Sequence, residues 1–249
     1  MPGRPALRTK AIVLGRTKLG EQDLILTLLG ERGSQLRAVA KGARKPGGRL
    51  ASRVELFCET DFLIAQGRNL GIVSEAQLAD AHEGLRGDLE RVSAASAVCE
   101  VARLTCYEDV EDSYLMPICA RALRACEQAG DQAMLDVVVA AYALKVLSHE
   151  GWRPELSSCI ACGDEQVSHF SAQMGGLLCA SCAKDVEGAS ELSATEMGWL
   201  RALIGLTFDE LLASEVDRAT AALLVSLVHG WCAVHLDARL RAWEFMLSV

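Results

Sequence analysis

From Arg8 onward, short apolar runs alternate with glycine-containing turns. Ala11-Ile12-Val13-Leu14 forms the centre of a strand predicted over Arg8 to Thr17, and Lys18-Leu19-Gly20-Glu21 turns the chain into a second, Asp23 to Leu29. Gly30-Glu31-Arg32-Gly33 turns again into Gln35 to Ala40, where Leu36 and Val39 carry the apolar signal. Val54 to Ala65 and Leu70 to Leu78, separated by Gln66-Gly67-Arg68-Asn69, add two more strands. Five short strands with such turns predict a small closed barrel such as an OB-fold, with other small barrels left open.

The period then changes. Leu85, Leu89, Val92, Ala95, Ser96, Cys99 and Arg103 recur at helical spacing to about Tyr107. Beyond the acidic break Glu108 to Asp112, Ser113 can cap a helix that tolerates Pro117 near its first turn and runs to about Gln128. Met134 to Ser148 reads as a strongly apolar helix ended by Gly151 and Pro154. Ser193-Ala194-Thr195-Glu196 is a capping-box pattern opening a helix to about Leu206, and a last helix is predicted from Val216 to about Leu236, leaving Asp237 to Phe245 as a tail. The expected class is α+β: an N-terminal OB-fold barrel over 1–80, a mainly α-helical domain over 81–156 and 187–249, and a small four-cysteine zinc module at 157–186.

That module rests on Cys159-Ile160-Ala161-Cys162-Gly163 and Cys179-Ala180-Ser181-Cys182. Two CxxC pairs at this separation have the spacing of a four-thiolate zinc site. Four thiolates fill a tetrahedral shell and leave no position for water or substrate, so one structural zinc ion is expected. Two disulfides, reduced core thiols, or His169 replacing one sulfur are the alternatives. Cys58, Cys99, Cys106, Cys119, Cys126 and Cys232 sit among apolar residues and read as small core fillers. Met1-Pro2-Gly3-Arg4-Pro5 has no apolar signal core behind it, and no window reads as a membrane span, so a cytoplasmic, nucleoid-associated protein with reduced thiols is expected.

The net charge of −8 is unevenly spread. Residues 1–53 hold twelve Arg or Lys against three Asp or Glu, a balance of +9, which leaves −17 for the rest. A basic front and an acidic body suggest two surfaces with different partners. The densest basic stretch is Lys41-Gly42-Ala43-Arg44-Lys45-Pro46-Gly47-Gly48-Arg49, predicted as a flexible loop. Its glycines let the backbone approach a polyanion, and Lys41, Arg44, Lys45 and Arg49 can contact phosphates; a merely solvated loop is the plainer reading. Arg8, Lys10, Arg16, Lys18, Arg37 and Arg53 could extend the patch across a barrel face. Phe57 and Phe62 are the only aromatics in this region, and alternation favours core positions for both over base stacking. No nucleotide-hydrolysis motif and no grouping of nucleophile, base and orienting residue is present, so no enzyme is expected.

A series of stretches stands in order along the chain: Thr9-Lys10-Ala11-Ile12-Val13-Leu14, Gly20-Glu21-Gln22-Asp23 and Ala38-Val39-Ala40-Lys41-Gly42-Ala43-Arg44, then Leu56-Phe57 and Glu75-Ala76. The series resumes at Gly151-Trp152-Arg153-Pro154-Glu155-Leu156-Ser157-Ser158-Cys159, Phe170-Ser171 and Gly175-Gly176-Leu177-Leu178-Cys179. Together they carry a resemblance to the RecO family of recombination mediators. It implies an OB domain, a helical body and a zinc-bearing insertion. It also implies binding and annealing of single-stranded DNA, with duplex DNA left open. The partners it implies are RecR and single-stranded-DNA-binding protein, with loading of RecA. Arg121, Arg124 and Lys145 are the candidates for receiving the acidic tail of single-stranded-DNA-binding protein. The segment His235 to Ala242 corresponds to one usually written with a glycine at or beside Ala238, so a different turn is expected there. A zinc-containing OB-fold transcriptional or RNA-binding adaptor is the alternative reading.

Overall fold

The run Ala11 to Leu14 forms the middle of β1 (Ala6–Leu19) in a computed structural model that describes residues 6–67 and 69–248. The segment 1–5, in which no signal core is expected, and Arg68 of the expected fourth turn lie outside the described residues. β1 pairs antiparallel with β2 (Asp23–Gly30) on one side and with β4 (Glu59–Ala65) on the other. β3 (Gln35–Ala40) pairs with β2, and β5 (Gly71–Asp80) closes the ring by pairing antiparallel with β4 and parallel with β3. The result is a closed barrel in the order β1-β2-β3-β5-β4. Its core is lined by Ala11, Val13, Leu24, Leu26, Leu28, Ala38, Phe62 and Val73, the alternate positions of each strand. Phe57 and Phe62 are both buried, as alternation indicated.

The strand expected from Val54 begins only at Glu59. A turn of 3-10 helix at Ala51–Arg53 and a left-handed Phe57 (φ 73°) interrupt the pleat before it. The β3–β4 connection instead sends Ala43, Leu50, Val54 and Cys58 into the barrel core and stoppers one end. The flexible loop expected there is also corrected. Successive turns chain it together, with the Lys45 amide on the Gly42 carbonyl, Gly48 on Lys45 and Ala51 on Gly48, at 2.9–3.1 Å.

The chain divides into two compact units, Met1–Glu127 and Gln128–Val249. In the first, the helix expected from Leu85 starts later, because a separate 3-10 turn occupies Glu83–Leu85 and the Asp88 carboxylate caps α1 (Leu89–Thr105) by accepting the Glu90 amide. Gln35 holds the other end of α1, its side-chain amide donating to the Arg103 and Cys106 carbonyls at 3.2 and 3.1 Å. α2 (Leu115–Gln128) follows.

The second unit is built round α3 (Gln132–His149), whose residues from Ala133 to Leu144 are buried on every face. Such a helix needs neighbours on all sides. α5 (Ala194–Gly205), α6 (Phe208–Leu212) and α7 (Arg218–Leu236) supply them. The expected Ser193–Glu196 capping box opens α5, and a second box, Thr207 with Glu210, opens the unpredicted α6. The expectation of no membrane-length window is corrected too. α7 is long and apolar enough to cross a bilayer by length and composition. Here it turns Leu224, Val225, Val228, Trp231 and Cys232 inward and packs on α3. The tail is not irregular, since α8 (Arg241–Met246) forms in it and buries Trp243. Asp237 ends α7 in the left-handed conformation (φ 45°), the place a glycine usually takes, and Asp is among the few residues that tolerate it.

Gly33 combines a left-handed backbone (φ +82°) with a position where a Cβ would lie 1.7 Å from the Asp112 carbonyl oxygen. Gly33→Ala is therefore expected to lower stability by roughly 1–3 kcal/mol or more, read as a fall in thermal midpoint. Gly20→Ala, also at positive φ but facing open space, is the milder control.

Candidate nucleic-acid interface and metal centre

A bulge at Leu14 decides where the basic residues of β1 go. Before it, Arg8 and Lys10 stand opposite Leu63 and Asp61 on the outer face of the barrel. After it, the register shifts by one residue, so Arg16 and Lys18 stand opposite Leu26 and Leu24, whose side chains point inward. The two pairs consequently lie on different surfaces. Arg8 and Lys10 join Arg49 and Arg53 in an open groove of about 1030 Å³ along β1, β4 and β5, with Ser74 and Gln77 as further polar lining. Arg16 reaches Glu55 at 2.7 Å, and Lys18 is exposed near the β1–β2 turn. Arg37 is exposed on β3 opposite Thr27.

Sequence reading missed the acidic members of the groove, Glu31, Asp61 and Glu75. Strand register was the available signal, because Asp61 is the β4 partner of Lys10, and Glu75 is the β5 partner of Leu63 beside Arg8. Lys10 is also drawn to buried Glu59 at 3.0 Å, and the Arg53 guanidinium donates to the Ala76 carbonyl at 2.9 Å. The basic loop lies against the β1–β2 turn. The Asp23 carboxylate accepts the Gly42 amide at 2.7 Å, and the Arg44 guanidinium donates to the Gly20 and Glu21 carbonyls at 3.1 and 2.8 Å. Lys41 and Lys45 remain exposed. Among the described barrel residues no aromatic side chain is exposed, so the surface offers charge and hydrogen bonds, not stacking platforms.

The candidates for protein contact have local duties. Arg124 lies 3.4 Å from Asp80 and 3.7 Å from Glu59. Arg121 is half-buried on the same helix and also has a partner. In the other unit, the Lys145 ammonium donates to the Ile204 and Leu206 carbonyls at the end of α5, and burial lowers its pKa.

The four cysteines of the paired motifs converge. Cys159, Cys162, Cys179 and Cys182 bring their sulfurs within 4.8 Å of one another, with Cys162 and Cys179 3.8 Å apart, a cluster geometrically able to hold a metal ion. Each pair sits in a tight turn. Gly163, at φ +79°, ends the first and donates to the Cys159 carbonyl. The second opens the short α4 (Ala180–Ala183), where Cys179 accepts the Cys182 amide. Strands β6 (His169–Ser171), β7 (Gly176–Leu178) and β8 (Ser190–Glu191) form a small sheet beneath. Glu155 bridges to Gly176 and extends the module upstream of its expected start, while β8 extends it beyond its expected end. His169 is not in the cluster; its Nδ1 lies 2.9 Å from the Ser168 hydroxyl.

Electrostatics set these thiols apart. The Cys179 amide, helped by those of Cys162 and Ala161, brings the Cys159 pKa down to about 6, while the sulfurs of Cys179, Cys162 and Cys159 push Cys182 up to about 12. Four sulfurs so close cannot all ionise without a cation among them. By contrast, burial holds Cys106 at about 11 and Cys126 at about 12, the state of inert core thiols. Those two, with Cys58, Cys99, Cys119 and Cys232, are buried core fillers as expected.

A closed five-stranded barrel with a partly basic surface, followed by a helical unit carrying a four-cysteine cluster, defines a class of OB-fold, metal-competent proteins. Comparison with known families narrows it. Residues 5–82 match the family described as Recombination protein O N terminal, and residues 86–244 match Recombination protein O C terminal. The DNA repair protein RecO of Roseiflexus sp. (strain RS-1) is 36% identical over 245 residues, covering 97% of this chain and 85% of that protein. RecO of Bifidobacterium longum (strain DJO10A) is 30% identical over 97% of this chain and 98% of its own length, and RecO of Thermoanaerobacter sp. (strain X514) is 27% identical over 96% of each. The chain belongs to the RecO family of DNA-repair and recombination proteins, a family of non-catalytic mediators.

Because Arg44 fastens the loop, Arg44→Ala is expected to speed proteolysis within 41–50, whereas Lys45→Ala should leave the cleavage rate near that of the wild type. Limited proteolysis followed by mass spectrometry makes the comparison.

Proposed function

We propose that the chain binds and anneals single-stranded DNA on its barrel, residues 1–80. With RecR, it then helps load RecA onto strands covered by single-stranded-DNA-binding protein. The helical body, 81–156 and 187–249, receives protein partners, and the module at 157–186 holds one structural zinc ion. A cytoplasmic, nucleoid-associated location follows from this role. The observation that carries the DNA reading is the groove where Arg8, Lys10, Arg49 and Arg53 gather beside polar side chains, with no exposed aromatic among the described barrel residues. Such a surface suits phosphate contacts, which hold a strand without reading its sequence. Lys41, Arg44, Lys45, Arg16, Lys18 and Arg37 extend the field on the neighbouring surfaces. An acidic partner tail at Arg121, Arg124 or Lys145 would have to compete with the carboxylates and carbonyls that Arg124 and Lys145 already engage.

For zinc, the support is both chemical and metric. Thiolates about 2.3 Å from a tetrahedral centre are separated by about 3.8 Å along each edge, and Cys162 and Cys179 stand 3.8 Å apart. A four-sulfur shell is closed, so the ion would shape the module and take no part in chemistry.

Removing Arg8 and Arg49 together (both to Ala) is expected to weaken binding alike for unrelated single strands. The slope of log affinity against log salt should flatten by roughly 0.7 for each phosphate that is no longer neutralised. Fluorescence anisotropy across a salt series measures both quantities, and an unchanged slope in a folded variant would move the DNA site off the groove. A marked preference for one duplex sequence or for RNA would favour a transcriptional or RNA-binding adaptor instead.

Purified protein is expected to contain one zinc per chain. Cys162→Ser should lose it and unfold at lower temperature, as should the wild type after chelation, because binding energy at a structural site is folding energy. Elemental analysis with thermal unfolding tests this; stable, metal-free wild-type protein would sink it.

A further inference from the structure

His82 follows β5 with a left-handed backbone (φ 46°), and its side chain is wholly buried. Its Nδ1 lies 2.8 Å from Glu127 Oε2, and its Nε2 faces Glu59 Oε1 at 3.4 Å. A neutral imidazole has one N–H and one lone pair, so it can serve only one of two carboxylates as a donor. The other nitrogen would then set its lone pair against a carboxylate oxygen. His82 Nε2 and Glu59 Oε1 are both buried and neither has a formed hydrogen bond. A second ring proton turns this repulsion into attraction.

The surrounding charges point the same way. Glu59 faces the ring from β4, Asp80 from β5 with Oδ1 at 4.0 Å, and Glu127 from α2. The fixed cations are Lys10 of β1, 3.0 Å from Glu59 Oε2, and Arg124 of α2, 3.4 Å from Asp80 and 3.7 Å from Glu59. From α1, the Arg91 guanidinium donates to the Glu127 carbonyl and lies 3.6 Å from the Asp88 carboxylate. Three carboxylates against Lys10 and Arg124 leave one negative charge, which an imidazolium cancels. Glu59, Asp80 and His82 also converge closely enough to resemble a metal cage. A dication there would meet Arg124 on both carboxylates and Lys10 on one of them, so the proton is the cation that fits.

We propose that His82, protonated on both ring nitrogens, is a pH-sensitive clamp that fastens the β4–β5 end of the barrel to the last turn of α2. The clamp reaches the proposed DNA surface through Glu59, whose second oxygen holds Lys10, a lining residue of the groove. This last link rests on the DNA reading above, while the clamp itself does not. Burial alone would lower the His82 pKa, but the carboxylates of Glu59, Glu127 and Asp80 around the ring outweigh that and raise it. The proximity of His82 and the Lys10 ammonium holds Glu59 down at about 2 against burial. A raised histidine pKa gives stability that is present below the ordinary histidine value and lost as pH rises through the raised one. A depressed Glu59 gives stability present above the ordinary carboxylate value and lost as pH falls toward about 2. The clamp is therefore closed from mild acid up through the ordinary histidine value and opens as pH rises through the raised one.

The test is long-range proton–nitrogen NMR of the full-length protein, with His82 assigned by His82→Gln. Both ring nitrogens of His82 should be mostly protonated at about pH 6.5, with a midpoint above that ordinary histidine value. Glu127→Gln, which leaves Glu59 in place, should move that midpoint down. The thermal midpoint of Glu127→Gln should fall below wild type in mild acid and converge with it above the His82 midpoint. A single neutral tautomer at about pH 6.5, or a stability difference that does not vary with pH, would overturn the clamp. So would a second metal ion per chain that disappears in His82→Gln. If His82→Gln fails to fold, Glu127→Gln still supplies the pH comparison. Loss of the clamp signature with normal DNA binding in the Arg8 and Arg49 comparison would count against the clamp alone.

Discussion

Barrel closure governs which charges can meet. β1 is the strand on which this acts, because it pairs with β4 from Ala6 to Ile12 and with β2 from Ala11 to Leu19, and its side chains must alternate between core and surface. Once Thr9, Ala11 and Val13 face inward, Arg8 and Lys10 are forced outward into the row of Leu63 and Asp61. The bulge at Leu14 resets the alternation and sends Arg16 and Lys18 elsewhere. A sequence cluster of cations is thus split by geometry between a groove and the neighbourhood of the β1–β2 turn.

Much of this was legible beforehand, for stated reasons. Period-two runs with glycine turns gave all five barrel strands, and the capping-box pattern gave the start of α5. The CxxC pairs gave the four converging sulfurs, because ligand spacing within a turn is a local property. The failures were non-local. Val54 and Cys58 are apolar in a strand-like pattern, yet they plug the barrel because Phe57 adopts a left-handed backbone between them. Residues 237–245 read as a tail after the last helix, but Leu240 and Trp243 are buried there. No feature of the local sequence around His82 announces that its partners come from residues 59 and 127.

The basic balance of the first 53 residues overstates the free charge of the surface. Lys10 and Arg16 are held by Glu59 and Glu55, and Arg44 and Arg53 are anchored on carbonyls. Arg8, Lys18, Arg37, Lys41, Lys45 and Arg49 are further exposed members of the set. An arginine anchored on a carbonyl keeps its charge but loses reach, so it adds to the field more than to contact. Asp61 and Glu75 further weaken the field inside the groove. A strand held by such a surface would be bound moderately and screened by salt, which is what the proposed annealing requires.

The two titrating clusters illustrate opposite solutions to crowded charge. At Cys159, Cys162, Cys179 and Cys182 the sulfurs are alike, and they drive Cys182 up to about 12. Like charges with no counter-ion call for an external cation, and soft sulfur donors select which kind. At Glu59, Asp80 and Glu127 the counter-charges are built in, from Lys10, Arg124 and His82. That cluster needs only a proton to reach balance, so it responds to pH where the other responds to metal. Both stabilise contacts between segments distant in sequence, and each does so with a cation whose presence depends on the solution around the protein.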